Sequence, residues 1–84
     1  MVIETIITLP LRRDVAFSVG KNECLGFVAI VGIEVFYDRV VCYLVAELDA
    51  RWEGTASGAD VLQALSISTR LLDLKMELAN AWCI

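Results

Sequence analysis

The sequence predicts one α+β domain, residues 1–84, with an antiparallel sheet of about four strands followed by a short and a long helix packed on it. Three observations lead there. From Val28 to Val45, eleven of eighteen residues are Val, Ile, Phe or Tyr, the composition of a buried sheet. Between Ala59 and Trp82 the apolar residues recur at helical spacing. Every connection between the expected strands is short, which requires antiparallel pairing.

The first strand is expected at residues 2–9, rich in β-branched side chains. Pro10 should end it, because proline cannot donate to a ladder. Leu11–Asp14 then reads as a connector, and residues 15–19 as a short second strand with alternating Val15, Phe17 and Val19. Gly20-Lys21-Asn22-Glu23 is the clearest turn signal. Gly20-Lys21 lacks the flanking residues of a phosphate-binding loop. The third strand is expected at 24–37, broken or bulged at Gly32, and the fourth at 40–46. A turn at Asp38-Arg39 would place Val35 opposite Cys42 and Ile33 opposite Leu44, with Glu34 and Tyr43 on the other face.

Residues 46–53, AELDARWE, favour a short helix by propensity, and Gly54–Gly58 a loop. The long helix is expected at 59–82, capped by Ser57 or Asp60. Its polar arc holds Gln63, Ser66, Thr69, Arg70, Asp73, Glu77 and Asn80. The apolar arc exceeds half the circumference, wider than one sheet face needs. One flank should cover the sheet, and the other, with Leu71, Leu74, Leu78 and Trp82, is a candidate interface with a second subunit.

Leu25–Leu48 is also long enough to cross a bilayer. Against this, Glu34, Asp38 and Arg39 near its middle cost roughly 8–10 kcal/mol, and its thirteen Leu, Ile, Val and Phe residues return about 4–8 kcal/mol. The hairpin reading is therefore preferred. The first ten residues do not read as a secretory leader, since the arginines follow the apolar run.

Composition narrows the function classes. The chain is 58% hydrophobic over only 84 residues, more than a small domain can hide, so an oligomer or protein partner is expected, most simply a homodimer. A net charge of −4 with one basic pair, Arg12-Arg13, argues against nucleic acid. The absence of histidine removes the commonest general base and metal ligand. Cys24, Cys42 and Cys83 form no CxxC pair, which speaks against a zinc ribbon and fits a reducing cytoplasm. Cys24 and Cys42 read as small hydrophobes, Cys83 as exposed.

Carboxylates are the only abundant candidate catalytic groups. Glu34 and Asp38, four residues apart on a strand, would be about 13 Å apart, too far to share an ion. Glu47, Asp49 and Glu53 would not share one helix face. Glu34, in an apolar strand, should sit at an edge or pair with an arginine. Lys75 and Ser68 fall within the apolar helix arc. Lys75 reads as a packed stem with a solvated ammonium, and Ser68 as a small residue at a tight contact. No catalytic, cofactor or metal site is expected, and no enzyme.

From Tyr37 onward, DRVVCYLVAELDARW, a Gly/Ser loop and DVLQALSISTRLLDLKMELA resemble a family of small bacterial domains of unknown function. The matching positions are Cys42, Leu48, Leu62 and Arg70. The resemblance implies strands, a short helix and a long helix, and no activity. A further strand after the long helix, expected of that family, has no counterpart in the sequence reading.

The sequence reading is thus of a cytoplasmic, non-enzymatic interaction or structural domain that self-associates. The alternatives are a ligand-binding regulatory module, with a pocket at Phe36, Tyr43 and Lys75 bordered by Trp82, or a small membrane-associated protein.

Overall fold

A computed structural model describes residues 3–84, with side chains from Leu11 onward. Val2, the expected first strand residue, lies outside the described residues. The elements are β1 (Ile3–Val19), β2 (Asn22–Phe36), β3 (Val40–Glu47), β4 (Arg51–Gly58), α1 (Val61–Leu78) and β5 (Trp82–Cys83). One antiparallel sheet has the order β4-β3-β2-β1-β5, with α1 across one face. The molecule is elongated, 49 × 18 × 18 Å, because the β1–β2 hairpin is long.

The α+β class stands, but the expected layout does not. The four strands and two helices of the sequence reading are replaced, among the described residues, by five strands and one helix. Strands 2–9 and 15–19 with their connector are one strand, β1. The ladder with β2 shifts register between Thr8 and Leu11, where Leu9 and Pro10 lie, so Pro10 sits at an irregularity and does not end the strand. At the other end Gly20, with φ 61°, and Lys21 form a two-residue loop between paired Val19 and Asn22. A positive φ at the first loop residue alone is what a type II′ hairpin turn asks of glycine.

The expected helix at 46–53 is a hairpin. Ala46 and Glu47 end β3, and the Asp49 carboxylate accepts the Ala50 amide at 2.9 Å in the turn. Arg51–Gly58, five of whose eight residues were expected to be loop, pairs along all of β3. Helix propensity is worth only tenths of a kcal/mol per residue and yields to this pairing. The Glu47 to Arg51 spacing that suits a helix is met here by two directly opposed strand residues.

The β2–β3 turn is also shifted. The Phe36 amide donates to the Arg39 carbonyl at 2.8 Å, so Tyr37 and Asp38 are the loop residues. Val35 therefore faces Val40, and Ile33 faces Cys42. A register change of this size leaves each side chain on its expected face.

Gly32 had been expected at a bulge, and one is present beside it. Ile30 pairs with Leu44 and Gly32 with Tyr43, leaving Val31 as the extra residue. The extra residue changes the parity of β2. Val28 and Ile30 join the core before it, and Ile33 and Val35 after it. One face thus stays apolar along the strand although the sequence positions switch from even to odd.

That face packs against α1. Val15, Val28, Ile30, Ile33, Val40, Cys42, Leu44, Ala46 and Ala56 meet Ala64, Leu72 and Met76 of the helix. The buried helix line, Ala64, Ser68, Leu72 and Met76, runs at i, i+4 spacing. Ser68 is fully buried and its hydroxyl donates to the Ala64 carbonyl at 2.7 Å, which satisfies it within the helix.

The helix is shorter than the expected 59–82. Asp60 is its N-cap, accepting the Gln63 amide at 2.8 Å, while the Gln63 side chain accepts the Ala59 amide. Ser57 belongs to β4. At the other end Asn80 adopts φ 52°, its amide reaches the Glu77 carbonyl, and the Ala81 amide reaches the Met76 carbonyl at 2.8 Å. This is a Schellman motif with asparagine as the left-handed residue, and it releases Trp82 into β5.

The close approach of α1 to β4 depends on Gly58. A Cβ there would lie 2.7 Å from the Ala64 nitrogen and 3.0 Å from the Gln63 carbonyl carbon, both backbone. Gly58→Ala should cost about 1–3 kcal/mol by overpacking, read as a lower urea midpoint at unchanged slope. A loss within the error of the measurement would mean that the helix start moves freely off β4.

Candidate functional site

Three surfaces follow from where α1 lies. It crosses β4, β3 and part of β2 and leaves the Leu11–Arg13 part of β1 uncovered. Between helix and β1 runs a groove of about 290 Å³ lined by Leu11, Arg13, Val28, Ile30, Leu72 and Thr69, with Asp73 and Arg12 at its rim. Arg13 and Asp73 approach to 3.9 Å across it, and both are more than half exposed. Such an ion pair contributes little, about 0–1 kcal/mol. The groove floor is apolar and the pair forms its polar border.

The second surface is the sheet face away from the helix. Its central strands contribute Phe27, Ala29, Glu34 and Phe36 from β2, and Val41, Tyr43, Val45 and Glu47 from β3. Its aromatic rings are covered by charged side chains. The Arg12 guanidinium stands 4.0 Å from the centre of the Phe27 ring and is held by Asp14 at 2.9 Å. The Arg39 guanidinium stands 4.8 Å from the Phe36 ring, with Asp38 at 3.8 Å. The Tyr43 hydroxyl donates to the Glu34 carboxylate. Arg51 bridges Glu47 and Glu53, the latter at 3.0 Å. Each cation–π contact is worth about 0.5–1 kcal/mol at an exposed site, and the guanidinium stems shield apolar surface.

The third surface is the flank of α1 on the β4 side. Ile67 and Leu71 are half-buried, Leu74 is 47% exposed and Leu78 71% exposed. They lie on the flank opposite Thr69 and Asp73, which face β1. Below them, among the described residues, β4 pairs only with β3 and its outer edge is open.

The structure gathers part of the expected interface. Leu71, Leu74 and Leu78 form one stripe, but Trp82 is on β5, at the far edge of the sheet. The expected pocket is not assembled. Phe36 and Tyr43 are on the face away from the helix, whereas the Lys75 ammonium stands 4.6 Å from the Trp52 ring on the helix side. Lys75 is half-buried and its cation rests on that ring, as a packed stem requires. Glu34 is on a central strand and meets a tyrosine, not an arginine. Cys42 is buried, Cys24 half-buried and Cys83 exposed, all three as free thiols. Among the described residues no cluster of Asp, Glu or Cys is placed to hold a metal ion.

Arg13, Thr69 and Asp73 of the groove were not anticipated. Continuing the strand through Pro10 would have put Leu11, Arg13 and Val15 on one face and so revealed the groove wall. Comparison with family models, curated proteins and solved structures finds no match to this chain.

The Tyr43–Glu34 pair has a titration signature. The phenol donates to the Glu34 carboxylate, and this hydrogen bond, then partial burial and the carboxylate's charge, raise the Tyr43 pKa above its ordinary value near 10. A raised folded pKa favours the protonated form, so the stabilisation is present below about pH 10 and is lost as pH rises through the folded value. In a Tyr37→Phe background, the remaining tyrosine should ionise above the ordinary value by ultraviolet titration, and Glu34→Gln should bring it down. An unchanged curve in Glu34→Gln would separate the two groups.

Proposed function

We propose that this chain is a non-enzymatic, self-associating interaction domain. One observation carries the reading. Twelve large hydrophobic residues among those described are more than one-third exposed, including Leu25, Leu62, Leu74 and Leu78, although the helix already covers one sheet face. Scattered exposed leucines are ordinary, but Leu74 and Leu78 continue the half-buried line of Ile67 and Leu71 on the flank of α1 turned toward β4, whose outer edge is open, as at a subunit contact. Nothing in the geometry favours catalysis. More than half of the described charged side chains pair with one another or cover rings.

No helix among the described residues is long and apolar enough to cross a membrane. Leu25–Leu48, the stretch weighed as a span, lies in β2, β3 and the turns at their ends.

Sedimentation equilibrium over a micromolar concentration range should give a mass rising to twice 9.3 kDa. A single monomer mass throughout would overturn the proposal.

The groove favours a second reading, a module that binds a small amphiphilic carboxylate with its tail on Val28, Ile30 and Leu72 and its head on Arg13. Its volume is near the lower end for ligand pockets. Titration with medium-chain fatty acids should then shift the amide resonances of Val28, Ile30 and Thr69 in the wild type, and more weakly in Arg13→Ala. Equal shifts in both would remove Arg13 from the reading.

A further inference from the structure

The self-association proposed above leaves open which surface is used. The outer sheet face and the α1 flank are both apolar, but they are finished differently. On the outer face Arg12 covers Phe27, Arg39 covers Phe36, and Glu34 takes the Tyr43 hydroxyl. Docking there would desolvate at least four charged groups, which is costly unless each finds a new partner. On the α1 flank no salt bridge or cation–π contact among the described residues covers Leu74 or Leu78.

We propose that a second copy of this chain docks on that flank. In this arrangement β4 pairs antiparallel with β4 of the second copy about a two-fold axis perpendicular to the sheet, and the Ile67, Leu71, Leu74 and Leu78 stripes meet across the axis. This inference rests on the self-association reading and specifies its geometry.

Four features select a second copy as the occupant. An open strand edge is self-complementary, since two identical edges can always pair antiparallel about a two-fold axis. β4 carries little of the usual edge protection: it has no proline, no lysine and no bulge in its pairing with β3, and its two charges, Arg51 and Glu53, lie at one end. These charges do not oppose the register: with Gly54 facing its own symmetry mate, Arg51 stands opposite Ser57 and Glu53 opposite Thr55 of the other copy, so the strands overlap over residues 51–57 without like charges meeting. A perpendicular two-fold axis also keeps both helices on the same side of the joined sheet, which brings their β4-side flanks together.

The area is sufficient. An eight-residue strand at about 3.3 Å per residue and an eighteen-residue helix at about 1.5 Å per residue both run roughly 27 Å. With the helix about 10 Å above the sheet, the strip on each copy is about 20 Å tall, a footprint of roughly 540 Å². Once the relief of side chains is counted, this approaches the ~800 Å² per partner of a standard interface.

The test combines variants with a measurement on the wild type. Leu74→Glu/Leu78→Glu alters two exposed positions and should raise the dimer dissociation constant by at least about 100-fold, as the loss of two buried leucines implies. Leu62→Glu, on the opposite flank, and Val31→Glu, on the outer side of the β2 bulge, should leave it within about threefold. In the wild type, amide exchange of alternate residues within Arg51–Gly58 should slow as protein concentration rises. The proposal is overturned if the dimer survives Leu74→Glu/Leu78→Glu, or if β4 exchange is independent of concentration while dimer forms. Either result leaves self-association standing on another surface, such as that probed by Val31→Glu. A wild type that stays monomeric overturns both.

Discussion

The closeness of α1 to β3 and β4 is the constraint on which the rest of this molecule depends. A helix normally stands about 10 Å from a sheet, and the residues between them decide where along the sheet it can settle. Here the seam is made of small side chains. Gly54, Ala56 and Gly58 line the inner face of β4, and Ala64 and Ser68 are the fully buried helix residues opposite. Larger side chains would lift the helix toward the middle of the sheet. Because the seam lies at the β4 side, the Leu11–Arg13 part of β1 is left open and the groove forms there, while Leu74 and Leu78 lie on the other flank of the helix. Both candidate surfaces are consequences of one off-centre helix.

The second condition is that β2 keep its apolar face toward that helix over fifteen residues. Strict alternation would place Val28 and Ile30 on one face and Ile33 and Val35 on the other. The extra residue at Val31 restores them to one side, and the irregularity near Leu9-Pro10 falls at the same level of the neighbouring strand. Removing a residue at this point would drive Ile33 and Val35 outward and bring Glu34 into the core, where its carboxylate would lose water without gaining a cation. The bulge is therefore needed for the core to be continuous, and the Glu34–Tyr43 pair follows from it.

How legible this was depended on range. The core strands were readable because β-branched density is a local property, and the faces of Ile33, Val35, Cys42 and Leu44 were assigned correctly even with the turn displaced. The helix was readable from its periodicity, although its end at Leu78 is set by one left-handed asparagine. The stretch 46–58 was misread because its local signals conflict with its long-range partner. Ala46, Glu47 and Leu48 favour helix and Gly54–Gly58 favours loop, yet pairing along all of β3 outweighs both. Trp52 assists by lying across Gly54 and supplying the packing that the glycine lacks. The pocket expected at Phe36, Tyr43 and Lys75 failed for the related reason that membership of a face is a tertiary fact. Lys75 found an aromatic ring, but it was that of Trp52.

The apolar surplus in the sequence can now be divided. Part of it is absorbed by the core along β2 and β3. Another part is on the outer face, where it is handled without a second layer, because Arg12 and Arg39 lay their stems and guanidinium planes over phenylalanine rings and are themselves held by Asp14 and Asp38. Such a face can remain in water, as its polar groups are already in use and a partner would have to displace them. The helix flank above β4 has one such contact, Lys75 over Trp52, and none over Leu74 or Leu78. Its leucines extend a line that begins in the core, and the strand below offers unpaired amides and carbonyls. Apolar side chains and open backbone groups make different demands, one for exclusion of water and one for hydrogen bonds. A second strand bearing its own helix meets both demands at once.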